Sequence, residues 1–93
     1  MSEIHIRRTH RLAESEAQAA VERVATELKR KHALDWRWQE ERILFARGAV
    51  SGQLFNEEDI VEIRLTLDTL LDAHRAQLES ELHACLEAAF GEA

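Results

Sequence analysis

The sequence is poor in the residues that break or cross-link a chain. It has no proline, three glycines and one cysteine among 93 residues. So little proline and glycine, beside 32% charged and 45% hydrophobic residues, argues against a disordered or collagen-like chain. The single cysteine, Cys85, cannot close a disulfide within the chain, whereas small secreted domains normally need several. We therefore expect a helix-rich domain in a reducing, cytoplasmic setting.

The sequence also lacks a long apolar run. Its longest uninterrupted stretch of large apolar residues is 43–45, and the first ten residues are charged, without the apolar core of a signal peptide. Neither a transmembrane segment nor a secretory signal is expected. The length suits a single domain over residues 1–93, because each half alone would be too small to sustain a core.

Acidic residues outnumber basic ones, and the two kinds are unevenly distributed. The formal net charge is −6, with +2 over residues 1–56 and −8 over residues 57–93. Binding to nucleic acid would have to use Arg7, Arg8 and Arg11, or the basic run at residues 29–31. Neither cluster is interleaved with aromatic residues that could stack on bases. No nucleic-acid partner is therefore expected.

Hydrophobic periodicity predicts a strand at the start of the chain and two helices. Ile4 and Ile6 alternate with polar residues over 3–8, which is typical of a half-buried strand. Apolar residues recur at helical spacing over residues 14–32 and again over residues 69–90. Both segments are predicted to form amphipathic helices.

The segment between the helices, residues 34–67, alternates like four strands of a meander. A two-residue turn at 40–41 sets Trp38 opposite Ile43. Four-residue turns at 46–49 and 56–59 set Phe45 opposite Val50, Ile43 and Ile63 opposite Gly52, Leu54 opposite Val61 and Val50 opposite Leu65. Every inward position is then apolar or glycine. The predicted fold is an α+β domain of order β-α-β-β-β-β-α, whose antiparallel sheet carries both helices on one face.

Five residues are candidates for contact with a ligand or a surface. Trp36 and Trp38 share the parity of Leu34, so both indoles should face the helices and either fill the core, which is favoured, or line a cavity. His74 falls on the apolar stripe of the last helix, where a buried neutral imidazole is favoured over a ligand or switch role. The other two candidates, Leu82 and Phe90, belong to the same stripe.

No metal, cofactor or catalytic site is predicted. His83 and Cys85 point roughly 200° apart on a helix, and neither His5 nor His10 has a carboxylate at ligand spacing. We expect those histidines to be solvated or capping, and Cys85 to be a small core residue. No nucleophile elbow or phosphate-binding glycine loop occurs, so an enzyme is not expected.

Several short signatures, in a fixed order, carry a family resemblance. They are IHIRRTHRL at residues 4–12, Glu16-Ala17, the strand containing Trp38, and VSGQL at residues 50–54. With these signatures the chain resembles the polyhydroxyalkanoic acid system family over nearly all of its length. The resemblance implies a small bacterial protein associated with polyhydroxyalkanoate storage granules, and it supplies no catalytic residues. The family usually has an apolar residue near the start of the last helix, where this chain has Asp-Ala-His at 72–74.

Three hypotheses on function follow. The first is a non-catalytic accessory protein that docks to the granule surface or to granule proteins. Docking would use the apolar row of the last helix or, if that row covers the sheet, as is favoured, a face around Leu44, Phe55 and Ile60. The second is a module that binds an acyl or hydroxyacyl group in a cavity lined by Trp36, Trp38 and the last helix. The third is a homodimeric structural domain that pairs through its exposed sheet face or an edge strand. The apolar row consists of Leu71, Leu78, Leu82, Leu86 and Phe90.

Overall fold

A computed structural model of the protein describes residues 2–48, 50–68 and 73–91. It confirms the predicted α+β class and the order of the elements. The first strand is one residue longer at each end than predicted, and the first helix has the predicted bounds. The elements are β1 (Ser2–Thr9), α1 (Glu14–His32), β2 (Asp35–Gln39), β3 (Arg42–Arg47), β4 (Val50–Glu57), β5 (Ile60–Leu67) and α2 (Arg75–Phe90).

The five strands form one antiparallel sheet in the order β1-β5-β4-β3-β2. The meander β2 to β5 follows the chain, and β1 pairs with β5, so that Ile4 lies opposite Leu65 and Ile6 opposite Ile63. The two edge strands are therefore β1 and β2. Helix α1 connects them by crossing the sheet from one edge to the other.

Both helices cover the same face of the sheet, and the core lies between them and that face. Strict alternation along the strands sends every second side chain inward. On this face, helix α1 adds a stripe of small and branched residues, and the neighbouring helix α2 adds Leu82, Leu86 and Phe90. The buried apolar residues of the strands, of α1 and of the α1–β2 connection are Ile4, Ile6, Ala17, Ala20, Val21, Val24, Ala25, Leu28, Leu34, Ile43, Phe45, Val50, Leu54, Val61, Ile63, Leu65 and Leu67.

The register of the first hairpin is as predicted, and that of the next two differs. Trp38 lies opposite Ile43. The predicted four-residue turns are wrong, because Arg47 pairs with Val50 and Glu57 with Ile60, which leaves two-residue turns. Phe45 therefore lies opposite Gly52, Ile43 opposite Leu54, Leu54 opposite Ile63, Gly52 opposite Leu65 and Val50 opposite Leu67.

Backbone geometry explains the tight turns. Glu40, Gly48 and Glu58 occupy the first turn position of the three hairpins and have φ of 57°, 48° and 56°. Two-residue hairpin turns require a positive φ at this position because only then does the turn match the twist of the strands. Each error in the predicted register is two residues long, so it leaves every side chain on its predicted face.

Helix α1 carries charges that suit its ends. Glu14 and Glu16 lie in its first turn, and a basic run lies in its last turn, so both ends complement the helix dipole. The Ala13 backbone N–H donates to Glu16 Oε1. Ala33 ends the helix in the left-handed conformation with φ of 55°. His32 Nε2 and the Glu81 carboxylate join this end of α1 to α2.

Helix α2 differs from its prediction at the N-terminus. It begins at Arg75, and residues 73–74 form a single 3₁₀ turn before it. Residues 69–72, including Leu71, lie outside the described residues. From Leu78 onward the apolar residues recur every fourth position and face the sheet, as the periodicity predicts. The helix ends at Gly91, whose φ is 74°.

Gly52 is required by close packing between β4 and β5. A Cβ atom there would lie 2.1 Å from the carbonyl oxygen of Arg64 and 2.8 Å from the Cα atom of Leu65. Because both atoms belong to the backbone, we expect Gly52→Ala to lower the free energy of unfolding by about 3 kcal/mol. Urea unfolding followed by circular dichroism measures this loss.

The control is Gly48→Ala, at a turn where no atom lies within 4 Å of the new Cβ. Only the left-handed backbone is strained there, which costs about 1 kcal/mol. A loss for Gly52→Ala no larger than that of the control would show that β5 can move away from β4.

Candidate functional site

The face of the sheet opposite the helices, here called the open face, brings charged, polar and apolar side chains close together. The strand registers align its side chains in rows that run across all five strands. Two neighbouring rows lie in the middle of the face. We call these two rows the arginine band: one is Arg7, Glu62, Phe55, Arg42 and Gln39, and the other is His5, Arg64, Gln53, Leu44 and Arg37.

Glu62 lies at the centre of an ionic cluster in this band. Its carboxylate oxygens lie 3.2 Å from Arg7 Nε, 3.3 Å from Arg64 Nη2 and 3.0 Å from His5 Nε2. The Glu62 side chain is only 15% exposed, so its neighbours shield it from solvent. One carboxylate thus holds the side chains of two strands in a fixed arrangement.

Arg42 and Phe55 form a second cluster on the open face. The guanidinium carbon of Arg42 lies 4.2 Å from the centre of the Phe55 ring, within cation–π range. Arg42 Nη1 also donates to Gln53 Oε1 at 2.9 Å. Phe55, Leu44 and Ile60 are half-buried and lie on three adjacent strands, so they form an apolar diagonal beside the arginines.

The charge of the arginine band is opposite to that of the whole chain. Four arginines and one glutamate give it a net charge of +3 with His5 neutral, whereas the chain carries −6. Apart from Glu62, the acidic residues of the open face lie outside these two rows, at Glu3, Asp35 and Glu57. The centre of this face can therefore attract anionic groups even though the protein is acidic.

The five residues singled out from the sequence do not meet in one site. Leu82 is fully buried and Phe90 is 5% exposed, so both belong to the core. Trp36 is half-buried against the core, in line with the favoured filling role, but that role is wrong for Trp38, which lies on an edge strand and is 37% exposed. The favoured burial of His74 is wrong: its side chain is exposed, because it precedes the first turn of α2 and so is not on the helical stripe.

A pocket of about 510 Å³ lies near the C-terminal end of α1 and the N-terminal end of α2. Of the five candidates only His74 lines it, so Trp36 and Trp38 do not form the walls of this pocket, as the less favoured cavity alternative would require. Arg47, which also lines the pocket, donates from Nη1 to the His32 carbonyl oxygen. The remaining lining residues among those described are His32, Leu34, Gly48, Val50, Leu67, Gln77 and Leu78.

His10 is the buried histidine of the described residues, and the sequence prediction of a solvated or capping role missed this. It is 3% exposed, and its ring centre lies 5.0 Å from that of Phe90. The Leu12 backbone N–H donates to its Nδ1, so the proton sits on Nε2, which donates to Asn56 Oδ1. Its own backbone N–H donates to the Asp59 carbonyl. The neutral ring thus connects the β1–α1 loop, the β4–β5 hairpin and the end of α2.

Cys85 is half-buried and packs against the core, in line with its predicted packing role. Burial raises the pKa of the Cys85 thiol, with the neighbouring Glu27 and Glu81 carboxylates acting in the same direction. A raised pKa keeps the sulfur protonated near neutral pH and lowers its nucleophilicity. Among the described residues no three histidine, cysteine or acidic side chains are grouped so as to hold a metal ion.

The fold and the open face define a small α+β protein whose sheet surface is basic and partly apolar at its centre. Across the described residues no helix is both long and apolar enough to cross a membrane. The model of the polyhydroxyalkanoic acid system protein family matches residues 4–90, so the chain belongs to this family and the resemblance is confirmed. No curated protein and no solved structure matches the chain.

Replacing His10 tests its structural role. We expect His10→Ala to lower the free energy of unfolding by about 2–3 kcal/mol, because it leaves the Asn56 amide and the Leu12 N–H without their partner. Urea unfolding measures the change. His83→Ala, at an exposed position on α2, is the matched control and should cost less than about 0.5 kcal/mol. Equal losses for the two variants would contradict the role assigned to His10.

Proposed function

We propose that the protein is a non-catalytic, cytoplasmic accessory protein of polyhydroxyalkanoate storage granules, and that it binds the granule surface through the open face. The observation that carries the proposal is the arginine band with the apolar diagonal of Leu44, Phe55 and Ile60 beside it. Family membership supports the granule context. The raised pKa of Cys85 makes this thiol a poor nucleophile, so the proposal gives it no chemical role.

The chemistry of the polymer complements this face. A polyhydroxyalkanoic acid is a polyester, so its surface presents alkyl groups, ester carbonyl oxygens and carboxylate chain ends. Guanidinium groups donate hydrogen bonds to carbonyl and carboxylate oxygens, and apolar side chains remove alkyl surface from water. Arg42 and Phe55 supply these two functions side by side.

Helix α2 is a poor alternative contact. Leu82 and Leu86 are fully buried, and Phe90 packs on the His10 ring. To present this row to a granule, the helix would have to leave the core and expose the apolar side of the sheet. Burying a large side chain contributes about 2 kcal/mol, so several such losses would exceed the stability of a small domain. The open face needs no such rearrangement.

The pocket supports a second candidate function, the binding of a small hydroxyacyl ligand. Its walls include Leu34, Leu67 and Leu78 for an acyl chain, and the Arg47 guanidinium for a carboxylate. This proposal uses a different part of the molecule from the open face. The two functions can therefore be separated by variants.

Co-sedimentation with protein-free polyhydroxyalkanoate particles tests the granule proposal. We expect the wild type to bind, Arg42→Glu to weaken binding about thirtyfold and Leu44→Asp at least about fivefold, since each unit of charge near an anionic surface contributes about 1 kcal/mol and Arg42→Glu changes the charge by two units. Arg23→Glu and Ala19→Asp, which make the same changes in charge at exposed positions of α1, are the matched controls and should bind as the wild type does.

Three outcomes would contradict surface binding by the open face. If the α1 controls lose as much binding as the open-face variants, only the net charge of the protein matters. Binding to native granules but not to bare polymer would point to a granule protein as the partner. The third outcome is that the protein does not bind the particles, but its His74 and Leu78 signals in nuclear magnetic resonance spectra shift when a 3-hydroxyalkanoate is added. This result would favour the ligand-binding function.

A further inference from the structure

Strand β2 is an edge strand with an exposed apolar residue. Among the described residues no strand pairs with its outer side. Trp38 on this strand is 37% exposed, and within the described part of the chain it is the large apolar side chain most open to solvent. Helix α1 lies more over β4 than over β2, so it leaves this tryptophan partly uncovered.

On the opposite edge of the sheet, one backbone acceptor is already occupied. At β1, Arg75 donates from Nε and Nη2 to the Glu3 carbonyl oxygen, at 3.3 Å and 3.2 Å. A long cationic side chain at this position occupies an acceptor that another strand would need, which is a common protection of sheet edges. Any pairing with a further strand is therefore expected at β2.

Turn geometry shows which backbone groups of β2 point outward. In a two-residue hairpin the residues that flank the turn, here Gln39 and Arg42, exchange backbone hydrogen bonds. Since this pattern alternates along an antiparallel pair, the backbone N–H and C=O groups of Arg37 and Asp35 also point toward β3. The N–H and C=O groups of Trp36 and Trp38 point away from the sheet, ready to bond an added strand.

We propose that this edge pairs with β2 of a second copy of the chain, antiparallel and about a two-fold axis at Trp36. In this register Trp36 faces its own counterpart and Trp38 faces Leu34 of the other copy. Asp35 faces Arg37 of the other copy twice, once on each side of the axis. The strand is thus complementary to itself in charge.

The neighbouring registers that keep the two sheet faces aligned are less favourable. An axis at Arg37 sets this arginine against itself. An axis at Trp38 sets Asp35 against Glu41 of the other copy and brings Trp36 opposite the turn residue Glu40. Like charges directly opposite one another destabilise a strand pair. Charge therefore selects the axis at Trp36.

Sedimentation equilibrium of the purified protein, without polymer, tests the dimer. We expect a mass twice the 10.7 kDa of the chain. Asp35→Arg and Arg37→Asp should each raise the dissociation constant at least tenfold, because each change creates two like-charge contacts. The double variant restores opposite charges at both contacts and should return the constant to within about threefold of the wild type.

The design separates pairing from folding. Within one copy Asp35 lies opposite Ala46 and Arg37 opposite Leu44, so the exchanges break no cross-strand ion pair of the chain itself. Glu22→Arg and Arg23→Asp on α1 control for net charge and should leave the dissociation constant unchanged. Amide exchange of the wild type adds a readout free of substitutions: protection at Trp36 and Trp38 should rise with protein concentration, whereas protection at Arg37 should not.

The proposal is overturned by a monomer at millimolar concentration. It is equally overturned by a dimer that both single variants leave intact, or by a double variant that is not restored. Since no granule or polymer is present, none of these outcomes bears on binding by the open face.

Discussion

Burial of one face of the sheet beneath two antiparallel helices is the constraint on which the rest of the structure depends. Most inward positions of the five strands are filled by apolar side chains, and Gly52 among them allows β4 and β5 to approach closely. Since the two helices use the same face, the other face remains open for polar chemistry. The buried His10 secures one end of this arrangement by joining two loops to the end of α2.

The sequence predicts the fold well because alternation is a strong signal that tolerates small errors. The turns after β3 and β4 were predicted two residues too long, yet Leu54 and Ile63 still face the core, since only an odd shift would invert a strand. The pairing of β1 with β5 is a tertiary choice, and nothing in residues 2–9 specifies which edge accepts them.

The candidate site was harder to predict from the sequence, and the histidines show why. His74 matches the helical period but precedes the first turn of its helix, and such boundaries are poorly marked in this chain, which lacks proline. His10 has no periodic signal at all. Its burial depends on Asn56 and Phe90, which are distant in sequence and meet it only in the folded chain. The arginine band likewise combines residues from all five strands.

The uneven charge of the molecule favours one orientation of the open face near a charged surface. The band carries +3 on a protein of net charge −6, so the remainder of the molecule is more acidic than the total suggests. Near an anionic surface such a molecule turns the arginine band toward that surface, because the arginines are attracted to it. Pairing of two copies about an axis perpendicular to the sheet would place both bands on the same side. Two linked contacts on one surface then bind more tightly than either alone, which allows each contact to be weak.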